Sequence, residues 1–149
     1  MLIGTVALIG IIIPLTITGN TGEAEEEPNP LESLSDRNND KERLKEAVVY
    51  ISNLYGIDSV CYDAIIEAEC QYRPRCNEEY GCSAGDGLIQ LIESTRQHCS
   101  DKLGREIDPM NDKDALECGA WLLANEGTGH WGREDTEWGS WDKWHTYCN

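Results

Sequence analysis

Apolar residues recur with a helical period through the middle of this chain. Leu44, Ala47, Val48, Ile51, Leu54 and Tyr55 fall on one stripe at i, i+3, i+4 and i+7 spacing, the signature of an amphipathic helix. Gly56 follows where a left-handed residue ends such a helix. Asp58 stands as the cap of a second helix running through Cys70, with Pro74 marking its limit. A Gly-rich stretch, GCSAGDG, comes next. Ser94 with Gln97 then spells a capping box for a third helix that stops at Gly104. Asp108-Pro109 or Asp112 opens a fourth, with Leu116, Ala120 and Leu123 inward and Gly127 past its end. Strand-like alternation is nearly absent. The pattern predicts a mainly α domain with a short Gly-rich turn or small hairpin between its second and third helices.

The N-terminal part does not share this pattern. MLIGTVALIGIIIPLTIT is an apolar run without an acid or a base, broken by Pro14. It is expected to be a secretory signal or an uncleaved single-pass membrane anchor over residues 1–19. No Lys or Arg precedes the apolar core and no strong A-x-A site follows it. Residues 20–40 hold Glu23, Glu25, Glu26, Glu27, Glu32, Asp36 and Asp40 among few apolar groups. That composition reads as an acidic disordered linker, which places the start of the folded domain at Lys41 and its extent at 41–149.

The second helix contains a misfit. At about 100° per residue, Cys61, Tyr62, Ala64, Ile65, Ile66 and Ala68 occupy one arc of about 200°. Glu69 falls inside that arc, between Ile65 and Tyr62, whereas Glu67 falls outside it beside Asp63. A carboxyl set among apolar groups loses hydration, so its pKa rises and it stays protonated near neutral pH, as a general acid must. The wheel alone fits equally well a structural glutamate satisfied by a backbone N–H or by Arg73.

Composition adds two constraints. The 149 residues carry a net charge of −16, which argues against nucleic acid or an anionic membrane surface as a partner. The seven cysteines, at 61, 70, 76, 82, 99, 118 and 148, all lie in the predicted domain. In an oxidising compartment they give up to three disulfides and one thiol left over. Cys99 and Cys118 would staple the third helix to the fourth. Cys76 and Cys82 flank a short loop and would close it. Cys148 is left to pair with either Cys61 or Cys70. No C-x-x-C pair exists, and His98, His130 and His145 lack finger-like spacing, so neither a metal nor another cofactor is expected. Asp108, Asn111, Asp112 and Asp114 lack the glycine of a calcium loop and read better as helix caps.

Three stretches taken together, AIIEAECQYRP, SAGDGLIQLIEST and DALECGAWLL, resemble the three motif blocks of the lytic transglycosylase family, whose lysozyme-like fold is shared with goose-type lysozymes. The first family block is an apolar helix ending in Glu-Ser, then an aromatic and a nearby Pro, matched by Glu69-Cys70, Tyr72 and Pro74. The second is a Gly-Ala turn leading to Gly-Leu-Met-Gln and Ser-Thr, matched by Gly87, Leu88, Ile89, Gln90, Ser94 and Thr95. The third is an Asn-apolar-x-x-Gly helix, matched by Leu116 and Gly119. The chain departs from the family at Cys70, where the pattern has Ser, and at Ala115, where it has Asn. A late tyrosine near the family's site has no clear counterpart, with Tyr147 as a substitute.

The resemblance covers residues 58 to about 125. The apolar run and the cysteines lead to the expectation of an exported domain, a monomer that is extracellular, periplasmic or anchored to the outer face of the membrane. The resemblance implies that it acts on peptidoglycan glycan strands. It further implies cleavage of the β-1,4 bond between N-acetylmuramic acid and N-acetylglucosamine, with Glu69 as the single acid/base. Tyr72, Gly85, Asp86, Gly87, Leu88 and Gln90 would then line the substrate, the glycines offering backbone N–H groups to an acetamido carbonyl. Lytic transglycosylases leave 1,6-anhydromuramic ends. Hydrolysis instead would need a second carboxylate, for which Asp86 is the candidate. An inactive glycan- or wall-binding module is the alternative from another class. Trp131, Trp138, Trp141 and Trp144 fit a glycan-stacking face less well than they fit a core in a chain without phenylalanine.

Overall fold

The computed structural model describes residues 29–35, 40–72, 85–132, 134 and 140–148. Among them the chain is mainly helical and stapled by disulfides. Helix α1 spans Lys41–Tyr55, α2 Ser59–Cys70, α3 Glu93–Leu103, α4 Asp112–Glu126 and the short α5 Trp141–Trp144. Helices α1 and α4 share a core with α2, and α5 packs on α2.

Local chemistry sets most of these boundaries. Asp40 accepts the Arg43 N–H at 2.9 Å to start α1, and Gly56 ends it at φ 68°. Asp58 accepts the Val60 N–H at 2.8 Å to start α2. Asn111 caps α4 by accepting the Asp114 N–H at 3.2 Å, which fixes the opening at Asp112. The capping box expected at Ser94 is not formed. Helix α3 begins two residues earlier, with Ile92 at the cap position making no side-chain bond, and Glu93 holds Arg96 at 2.5 Å instead. Leu116 and Ala120 are buried as expected, while Leu123 is only partly covered. Leu54 does not face inward and is 65% exposed. The last turn of α1 runs past the core edge there, and Tyr55 packs against the core in its place.

Part of the stretch that composition reads as an acidic linker is folded. Leu31 and Leu34 are buried, held by a 3-10 turn at Glu32–Ser35 that packs on α4. Two leucines three residues apart eclipse on one side of such a turn, giving an apolar face that the average polarity of residues 20–40 conceals. Folded structure therefore begins ahead of Lys41. The apolar run at 1–19 lies outside the described residues, and no described helix is long and apolar enough to cross a membrane.

Cys99 and Cys118 join α3 to α4 with their Cα atoms 5.6 Å apart. Cys148 pairs with Cys61 at 4.5 Å, which resolves the open alternative. Cys70 is buried, and its thiol donates to the Leu88 carbonyl at 3.2 Å. Cys76 and Cys82 lie outside the described residues. Disulfides of this kind point to an oxidising, exported environment.

Candidate active site

The Gly-rich turn bridges the C-terminal end of α2 and the middle of α4. The turn is closed by paired backbone bonds between Asp86 and Leu91, at 3.1 and 2.9 Å. It rests on α2 through the Cys70–Leu88 contact and on α4 through Ile89, whose Cδ1 lies against Gly119. Tyr62 crosses from α2 to α4, its hydroxyl donating to the Leu116 carbonyl at 2.7 Å. A Cβ at Gly119 would stand 2.4 Å from that hydroxyl, so the glycine admits the crossing.

Tryptophans connect this centre to the C-terminal segment. The Trp131 indole N–H donates to the Ile89 carbonyl at 3.3 Å, and the Trp144 indole N–H donates to the Trp131 carbonyl at 3.4 Å. The Ser140 N–H donates to the same Trp131 carbonyl at 3.0 Å. Ser140 is thereby set at the end of α2, where its hydroxyl donates to Oε1 of Glu69.

The inner face of α2 is turned slightly from the arc the sequence predicts. Cys70 is buried, whereas Ala64 and Ala68 are half-exposed. Glu69 remains within the turned face and is half-buried. Burial pushes its carboxyl up from the ordinary glutamate range, and the Ser140 hydrogen bond and the Lys143 ammonium draw it part of the way back. Glu67 points to solvent and pairs with Lys41 at 2.7 Å. The two glutamates therefore differ in environment as the wheel predicts. Arg73, the alternative partner for Glu69, lies outside the described residues.

Ser140 was invisible to sequence reasoning. It belongs to no motif, and only knowledge of the Cys61–Cys148 bond would have laid its segment along α2. A bond that favours the ionised carboxyl lowers its pKa, so Ser140→Ala should raise it further. If Glu69 acts as a general acid, the alkaline limb of kcat/KM, which follows a free enzyme's essential acid, should then move to higher pH. An unmoved limb in a folded Ser140→Ala variant would separate Ser140 from the chemistry.

The other predicted site residues serve the framework more than an open surface. Tyr72 is buried, its hydroxyl donating to Asp63 at 2.5 Å and its ring lying under the Lys41 and Lys45 ammoniums. Burial, with Asp63, pushes its phenol far up. Leu88 is buried and meets α2 through its carbonyl. The Gln90 amide donates to the Gly87 carbonyl at 2.8 Å, and its Oε1 is buried with no partner among the described residues. The space over Gly85 and Gly87 is filled by the protein, with the Gln90 and Pro109 carbonyl oxygens 2.1 and 1.8 Å from where a Cβ would sit. Asp86 carries its carboxylate on the exposed side of the turn. Trp131 and Trp144 are core residues, and Trp141 stacks on His145 at 3.7 Å. Trp138 lies outside the described residues. Comparison with family models, with curated proteins and with solved structures finds no match for this chain.

Proposed function

We propose that the protein is a peptidoglycan-cleaving enzyme of lysozyme-like fold, a lytic transglycosylase acting outside the cytoplasm with Glu69 as its acid/base. What supports this is the setting of Glu69: a half-buried carboxyl raised in pKa at the end of α2, bonded by Ser140 and adjoining the residue on which the Gly-rich turn rests. A protonated carboxyl there can give its proton to the departing glycosidic oxygen. The same carboxylate then takes the proton of the sugar's own 6-hydroxyl as that oxygen closes the 1,6-anhydro ring. Ser140 supplies the hydroxyl beside Glu69 that the family pattern places at the next residue, where this chain has Cys70.

The test is the product. Mass spectrometry of digested peptidoglycan is expected to show 1,6-anhydromuramic ends, one water lighter than reducing ends. Fragments with only reducing ends, and activity lost in Asp86→Asn, would make the protein a hydrolase. Purified walls that keep their turbidity, yet retain the bound protein, would make it a binding module.

A further inference from the structure

Helix α2 ends under strain. One left-handed residue is enough to end a helix, and that position is ordinarily glycine. Here Gln71 and Tyr72 follow one another in the left-handed region, at φ 55° and 58°. Residues with side chains visit it singly rather than in succession, and such strain persists only where surrounding contacts over-determine it. Among the described residues the third non-glycine in this region is Gln90, in the turn that rests on the same helix end. The strained pair comes directly after Glu69 and Cys70.

Tyr72 is held from α2 itself and from α1. Its hydroxyl donates to Oδ1 of Asp63 at 2.5 Å, nine residues back along the chain. Its ring, only 4% exposed, lies under two ammoniums, with Lys41 5.4 Å and Lys45 5.3 Å from the centroid. Both lysines are fixed in turn, Lys45 by Asp63 at 3.1 Å and Lys41 by Glu67 at 2.7 Å. The chain leaving α2 is thus folded back along that helix and strapped to α1. A second anchor precedes Gln71, where the Cys70 thiol donates to the Leu88 carbonyl at 3.2 Å. Asp63 and Cys70 bracket the turn that carries Glu69, whose carboxyl takes the Ser140 hydroxyl. A small rotation of that turn would carry the carboxyl away from Ser140.

We propose that Tyr72 is a positioning residue for Glu69. Its bond to Asp63 holds the left-handed pair at the end of α2, and so fixes the rotation at which the Glu69 carboxyl meets Ser140. Any effect on rate rests on the peptidoglycan reading, whereas the effect on the carboxyl itself does not. The role is distinct from that of a sugar platform. Loss of a platform contact raises KM with kcat unchanged, whereas misplacing the reacting group lowers kcat and kcat/KM together.

Tyr72→Phe isolates the bond, because the ring stays under the two lysines and only the hydroxyl is lost. NMR titration of the Glu69 carboxyl in the full protein reads the consequence directly. With the Ser140 bond loosened the charged form loses a donor, so the midpoint should move up, as in Ser140→Ala, and no further in the double variant. Asp63→Ala, at a partly exposed position, should do the same even if Tyr72→Phe does not fold. Asp63→Asn keeps an oxygen for the tyrosine hydroxyl and should stay near the wild type. With soluble glycan strands as substrate, Tyr72→Phe should lower kcat about 10–100-fold at unchanged KM, the upper figure being the cost of a misplacement of about 1 Å. A midpoint unmoved in Tyr72→Phe and Asp63→Ala, a raised KM with kcat unchanged, or Asp63→Asn moving as far as Asp63→Ala overturns the proposal. Strands left uncut by a wild type whose Glu69 midpoint still moves in Tyr72→Phe would sink the enzyme reading and leave the clamp standing. Strands cut by Tyr72→Phe at the wild-type rate would do the reverse.

Discussion

Glu69→Gln is expected to abolish cleavage of purified cell walls, while Glu67→Gln keeps most of it. A positioned general acid is worth about 10²–10⁴-fold in rate, and in this scheme Glu69 serves both as the acid and as the base that follows. Glu67 is 44% exposed and spends its charge on Lys41. An ion pair of that kind contributes about 0–1 kcal/mol, so its loss should register weakly in stability and hardly in rate.

The same substitution should act on stability in the opposite sense. The carboxyl's pKa is raised in the fold, so its contribution is fully present below the unfolded pKa and is lost as pH rises through the folded one. Above the folded pKa an ionised, half-buried carboxylate is a cost that a neutral amide of the same shape avoids, and the Ser140 hydroxyl can still donate to the amide oxygen. Glu69→Gln should therefore melt at or above the wild-type temperature once pH exceeds the folded pKa, with the difference closing in acid. A loosely folded variant would instead lose activity and melting temperature together. Cleavage surviving in Glu69→Gln, or lost equally in Glu67→Gln, sinks the assignment.

What the sequence made legible was local. Gly56 and Asp58 end and start helices through contacts within two to four residues, and the wheel separated Glu69 from Glu67 without any tertiary information. The Cys99–Cys118 bond followed from placing each residue on its helix. Where the reading failed, the deciding contact came from elsewhere in the chain. Leu31 and Leu34 gain their burial only because α4 lies over them. Tyr72 has the composition of a sugar platform until Asp63 and two lysines enclose it. Ser140 reaches Glu69 across 71 residues of chain, a separation that no periodicity registers. Ser94 and Gln97 carried a local signal that was overridden, since α3 starts two residues before that box would place it.

Gly87→Ala is expected to unfold the turn rather than blunt sugar binding. Gly87 has φ +76°, a left-handed conformation that costs a residue with a side chain about 1–3 kcal/mol. Its new methyl would also lie 1.8 Å from the Pro109 carbonyl oxygen. That neighbour is backbone in the loop between α3 and α4, so it cannot swing aside as a flexible side chain would, and overpacking adds about 1–3 kcal/mol more. The combined loss of about 2–6 kcal/mol is comparable to the whole stability of many small domains. It should also spread: shifting the turn disturbs the Leu88 carbonyl under Cys70 and the Ile89 carbonyl that receives Trp131. Urea unfolding should show a midpoint far below that of the wild type, with cleavage falling in step with the folded fraction. A Gly87→Ala protein that kept the wild-type midpoint and lost only cleavage would return Gly87 to the sugar-facing role that its motif suggests, and would show that Pro109 is free to move.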